Sequence, residues 1–162
     1  MSDDTVVNLD FDKLPGGHQA SGGLVLGNLT GEDWHNLFNL GERIEFLQGD
    51  VILEQNQLND SLYFVTDGSV RIERADAGET KLLAELSVAA IFGEMSFLEK
   101  SKISASVIAD SHVVVLKIPG ADLENLIAED TEFGQRFYRS VAVTLSRRLR
   151  ATNNLVYISP SR

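Results

Sequence analysis

Cysteine is absent from this 162-residue chain, which excludes disulfides, zinc-thiolate sites and cysteine nucleophiles. Basic residues are scarce: 14 Lys and Arg stand against 24 Asp and Glu, a formal net charge of −10. A direct nucleic-acid binder needs the basic face that such a balance does not offer. No apolar run approaches the ~20 residues that span a bilayer. The opening Met1-Ser2-Asp3-Asp4 is acidic, unlike a secretory signal. A cytoplasmic chain without a membrane partner is expected. Histidine occurs only at His18, His35 and His112, with no ligand or triad spacing between them, and no serine occupies a nucleophile elbow. An enzyme is not expected.

What is present is a succession of short alternating segments between turn residues. Residues 1–28 mix acids with Leu14-Pro15-Gly16-Gly17 and Ser21-Gly22-Gly23 and show little periodicity, so a flexible arm is expected, with Val6, Val7, Leu9 and Phe11 leaving room for docking. The remainder, 29–162, reads as one domain. Thr30 is an N-cap with acid in the first turn after it, Trp34, Leu37 and Phe38 share a face, and Gly41 is a stop. Trp34 reads as a core or interface anchor.

From Glu42 the period changes to two. Segments at 43–46, 51–54, 62–65, 69–73 and 81–86 are separated by turns such as Gly49-Asp50, Asp67-Gly68 and Ala77-Gly78. Short strands at this spacing predict an antiparallel barrel or sandwich.

The most informative stretch is Phe92-Gly93-Glu94-Met95-Ser96-Phe97-Leu98, followed after a charged loop by Lys102-Ile103-Ser104-Ala105-Ser106-Val107. Glycine lets the main chain approach a ligand closely, and a short helix after it aims N–H groups at an anion. Glu94 beside such a site is poorly placed to hold phosphate and well placed to accept from a sugar hydroxyl. The arrangement suits a ribose phosphate.

These residues resemble the phosphate-binding cassette of the cyclic nucleotide-binding domain family, which runs Phe-Gly-Glu, a few apolar or small residues, a loop, then Arg, Ser or Ala, and Ala. The resemblance implies a mainly β fold with flanking helices: a double-stranded β-helix, or jelly-roll-like β-roll, plus a long C-terminal helix, with turn glycines at Gly49 and Gly68. It implies that Glu94 holds a ribose 2′-hydroxyl, that amides from Gly93 to Met95 meet the ligand beside Phe92 and Ser96, and that Ser104 and the Ala105 amide touch the cyclic phosphate. The implied ligand is cAMP or cGMP, or a related anionic small molecule, and the implied function is regulatory sensing.

One position departs. The family's arginine is replaced by Ile103, and Lys102 is adjacent. Strand alternation places Ile103, Ala105 and Val107 on one face and Ser104 and Ser106 on the other. Losing a charge-assisted contact of about 1.5–3 kcal/mol weakens binding roughly ten- to a hundredfold. Weak binding, altered ligand choice, and a fold that has lost its nucleotide and acts as an interaction subunit or sensor of another small molecule are all open.

The last long element is a predicted helix over about 131–156. Phe133, Phe137, Val141, Leu145, Leu149 and Thr152 mark one seam at spacings of three to four. A small roll cannot cover so long a seam, so pairing with a second copy is expected. Arg136, Arg139, Arg147, Arg148 and Arg150 read as a solvated face that offsets the helix dipole. Residues 146–153 resemble the dimer helix of the catabolite activator group of transcription regulators, in which a Thr-Ser pair meets the adenine; here that pair is Thr152-Asn153. That group continues into a helix-turn-helix domain, so the resemblance implies either a stand-alone sensor acting on a protein partner or the regulatory part of something longer.

Overall fold

The computed structural model describes the backbone of residues 26–158 and the side chains of that range except at 152 and 154–158. Apart from 26–28, the expected arm lies outside the described residues. Leu26 is buried in the core, and the Asn28 N–H donates to Ser140 Oγ at 3.1 Å.

Helix α1 (Gly31–Leu40) starts as its sequence dictates. Thr30 Oγ1 accepts from the Asp33 N–H while the Asp33 carboxylate accepts from the Thr30 N–H, a reciprocal cap. The strands follow: β1 (Glu42–Phe46), β2 (Val51–Leu53), β3 (Leu62–Asp67), β4 (Val70–Asp76), β5 (Glu79–Leu86) and β6 (Ile91–Phe92). Then come α2 (Glu94–Glu99), β7 (Ser106–Ala109), β8 (Val113–Ile118), α3 (Gly120–Glu129) and α4 (Thr131–Ile158). The strands form two four-stranded antiparallel sheets, ordered β1-β8-β3-β6 and β2-β7-β4-β5. This is the β-roll with flanking helices that the sequence implied.

Alternation along the strands divides the apolar residues between two cores. Tyr63 and Val65 of β3 join Phe92, Val107, Val113 and Val115 between the sheets. Their neighbours Leu62 and Phe64 face the helices, with Leu116, Ile118, Leu37, Leu123, Phe133 and Phe137. Trp34 packs on the helical side, its ring 5.1 Å from Phe64 and 5.8 Å from Phe38. It is half-buried and packs against the helical core, one of the two expected roles. The turn at Gly68 has φ +78, and a Cβ there would lie 2.2 Å from the His112 carbonyl oxygen, so the hairpin tolerates only glycine.

Helix α4 differs from expectation in two respects. Phe133, Phe137 and Val141 are buried on the chain's own core, so the first half of the expected pairing seam is an internal contact. The face left exposed runs through Tyr138, Ala142 and Leu149, with Leu145 half-buried beside it. The expected solvated arginine face is also split. Arg136 makes a bidentate pair with the buried Asp33 of α1, at 2.7 and 2.8 Å, and Arg148 turns inward. Arg139, Arg147 and Arg150 stay exposed. The Arg136 guanidinium, chief among its partners, holds the Asp33 carboxyl below its ordinary value. The stability this pair contributes is present above that ordinary value and is lost as pH falls through the lowered one. Among the described residues no helix is long and apolar enough to cross a membrane.

Candidate functional site

Strand β6 delivers the cassette. Phe92 is buried on the roll side, its ring stacked on Tyr63 at 4.9 Å with the planes 8° apart. The chain then turns at Gly93 with φ +80. A Cβ at this position would lie 2.8 Å from the Ser61 carbonyl oxygen and 3.3 Å from Asn59 Nδ2. Only glycine meets both the backbone angle and the close approach. Gly93→Ala is expected to cost about 1–3 kcal/mol, seen as a lowered urea midpoint at unchanged slope.

Helix α2 is braced from the side. Ser96 Oγ donates to the Gly93 carbonyl and accepts from Asn59 Nδ2 at 2.9 Å, and the same Asn59 amide donates to the Ser61 carbonyl at 2.9 Å. Ser96 is therefore engaged within the cassette, whereas Met95 is exposed. Asn59 was not among the expected site residues. In the sequence it is one polar residue in a polar turn, and only the fold gives it a partner.

Glu94 is 7 % exposed, and its Oε1 accepts from Arg148 Nη1 at 3.0 Å, while Arg148 Nη2 donates to the Ile91 carbonyl at 2.8 Å. The guanidinium thus bridges the cassette acid and the strand that precedes it. Burial pushes the Glu94 carboxyl above its ordinary value, and Arg148 opposes that rise. Arg148 was read as solvated. Yet Phe137, Val141, Thr144 and Arg148 recur at steps of four, three and four residues, so the buried stripe of α4 carried the signal.

The loop after α2 behaves differently. Ile103 is 6 % exposed and lies in the core between the sheets with Leu53, Tyr63, Phe92 and Val107. Its N–H donates to the Gln57 carbonyl and its own carbonyl accepts from the Asn56 N–H. Lys102 and Ser104 are exposed and Ala105 is buried, the alternation expected from the sequence. Ser104 and Ala105 form a bend, and β7 starts at Ser106, whose Oγ accepts from the Gln55 N–H at 2.9 Å. Pairing with the turn at 55–57 occupies the backbone before that point. Asn153 is exposed on α4, and the side chain of Thr152 lies outside the described residues. The structure thus brings Phe92–Ser96 together with Arg148, while the loop contributes an aliphatic side chain to the interior.

A two-sheet roll, a Gly-Glu cassette and a long helix tied to that cassette together define the class of domain. The chain belongs to the cyclic nucleotide-binding domain family, whose sequence profile matches residues 43–130. It is 32 % identical over 154 residues to cyclic GMP-binding protein C of Dictyostelium discoideum, covering 89 % of this chain and 6 % of that protein. It is 34 % identical over 110 residues to the cyclic AMP receptor protein of Thermus thermophilus, covering 67 % of this chain and 49 % of the receptor. The crystal structure of the Thermus thermophilus catabolite activator protein superposes with a TM-score of 0.72 at 28 % identity, over 84 % of this chain and 62 % of that one. The chain therefore spans about half or less of the length of these two curated relatives.

Proposed function

We propose that this chain is a regulatory module that takes a cyclic nucleotide, cAMP or cGMP, at the Phe92–Ser96 cassette and reports it through α4. The observation that carries this reading is the Glu94–Arg148 pair. The acid that the family resemblance assigns to the ribose is the same group that docks α4. A ribose hydroxyl and Arg148 share one carboxylate, so ligand affinity differs between docked and released α4, which is the differential that coupling requires. The residues fit the ligand in part. Gly93 admits close backbone approach, the Gly93–Met95 and Ser104–Ala105 segments supply polar groups for the cyclic phosphate, and Lys102 is the nearest cation in the loop sequence. Thr152 and Asn153 would meet the base.

Titration calorimetry with cAMP and with cGMP tests the reading. At least one is expected to give saturable heat below millimolar concentration, and Glu94→Ala is expected to abolish it. No heat from either with the intact chain would end the proposal. A second reading is favoured by one observation, the burial of Ile103 where the family has arginine: a roll that has lost its nucleotide and serves as an interaction subunit or sensor of another small molecule.

In either reading the output is to a protein partner, and a second copy of the chain is the first such partner. Tyr138, Ala142, Leu145 and Leu149 recur at steps of four, three and four, the spacing of a coiled-coil seam. Leu149→Glu is expected to shift a dimer to monomer in sedimentation velocity. An unchanged sedimentation coefficient would reject pairing through this stripe.

A further inference from the structure

Beyond Glu132, helix α4 carries five arginines and no acidic residue, within a chain of net charge −10. Two of the five are turned inward, Arg136 to Asp33 of α1 and Arg148 to Glu94 of the cassette. Arg139, Arg147 and Arg150 are exposed, and among the described residues no ion pair engages them. Cations on an acidic surface gain most when interspersed with its carboxylates. Here three are collected on one helix instead.

Their placement is regular. With about 3.6 residues per turn, Arg139, Val143, Arg147 and Arg150 fall within a sector of about 80° around α4, and Tyr138, Ala142, Leu145 and Leu149 within another of about 60°. The two sectors adjoin at Ala142 and Ser146. The outer half of the helix is thus two-sided, apolar along one edge and cationic along the other. The three arginines line a shallow groove with Ala142, Val143 and Ser146, side chains small enough to let a second helix approach closely. From Arg139 to Arg150 the axis rises about 16 Å, or about three turns.

Charge selects among the possible occupants. The α4 of a second copy presents the same arginines and no acid to meet them. Nucleic acid and an anionic bilayer would meet the repulsion of the whole chain, and neither matches an apolar edge beside the cations. A helix with carboxylates at steps of three and four presents them in one row of matching length. We infer that this groove docks an acidic helix of a protein partner, its row of carboxylates set against Arg139, Arg147 and Arg150. Arg147 and Arg150 flank Arg148, so the partner sits on the turn that is pinned to the cassette. The inference rests neither on nucleotide binding nor on pairing through the apolar stripe.

The test is fluorescence anisotropy of the full chain with a labelled, alanine-rich helical peptide of about 16 residues that carries glutamate at i, i+4, i+7 and i+11. Saturable binding is expected at low salt, at least tenfold weaker when the four glutamates are replaced by glutamine. Exposed ion pairs are weak singly, so changing Arg139, Arg147 and Arg150 together to Gln is expected to weaken binding about tenfold. A control variant changes Arg43, Arg74 and Lys81, exposed cations on β1, β4 and β5, to Gln, which gives the same net charge. It is expected to change binding less than about twofold. No saturable signal with the intact chain, a glutamine peptide that binds as well, or equal losses in the two variants would each overturn the inference. Tighter binding of oligothymidylate or of phosphatidylserine vesicles than of the peptide would overturn it in favour of nucleic acid or a membrane. A bound fraction that falls once the chain is concentrated enough to dimerise would do so in favour of a second copy.

Discussion

Arg148→Met is expected to lower stability at neutral pH by about 3–5 kcal/mol, because it leaves a buried carboxylate without its cation. Glu94 is 7 % exposed, so water cannot take over from the guanidinium. The pH dependence identifies the cause. Burial already raises the Glu94 carboxyl against the opposing effect of Arg148. Removing Arg148 raises it further. For a raised carboxyl, the folded form binds the proton more tightly than the unfolded form, so the stability linked to that proton is present below the ordinary value of 4.5 and is lost as pH rises through the folded value. The deficit of the variant should therefore be largest at pH 7 and narrow toward pH 4. Urea unfolding at both pH values measures it, and a midpoint shift of roughly 2 M at pH 7 is expected for a domain of this size. Adding Glu94→Gln should recover most of the loss by removing the unpaired charge. If the variant is equally destabilised at both pH values, lost packing rather than lost charge pairing is the cause.

Ile103→Arg is expected to do the opposite of restoring a ligand site. The side chain at 103 lies between the sheets among Leu53, Tyr63, Phe92 and Val107, and a guanidinium there has no carboxylate among those neighbours. An unpaired buried charge costs several kcal/mol, so a loss of about 3 kcal/mol or more, or displacement of the loop, is the expected outcome. Ser104→Arg, at the exposed neighbouring position, should change stability by less than about 0.5 kcal/mol. Comparing thermal midpoints of the two variants tests this. An Ile103→Arg protein as stable as the parent would mean that the loop can turn this side chain outward, and nucleotide titration should then be repeated on that variant.

The sequence was legible where a local rule acts on neighbouring residues. Strand alternation put Ile103 and Ala105 on one face and Ser104 on the other, the Thr30 cap fixed the start of α1, and the Asp67-Gly68 pair marked its turn. It was less legible where a contact joins residues far apart in the chain. Asn59 braces α2 across 37 residues and Arg148 reaches Glu94 across 54, and no periodicity connects such positions. The pairing seam shows an intermediate case. Apolar residues on α4 fall at helical spacing on two adjacent faces, and the sequence does not say which faces the roll. Only with the sheets in place do Phe133, Phe137 and Val141 prove to be internal, leaving Tyr138 and Leu149 outside.

The two inward arginines of α4 have a mechanical consequence. Arg136 is fixed to α1 and Arg148 to the cassette, about 18 Å apart along the helix, while the last described turn lies about 33 Å from Arg136. Were the outer pin withdrawn, a swing of ~10° about the inner one would carry Arg148 about 3 Å and the far turn about 6 Å. A displacement no larger than one hydrogen-bond length at the cassette would thus be doubled at the tip, a gain ratio set by nothing more than where along one rod its two fasteners sit.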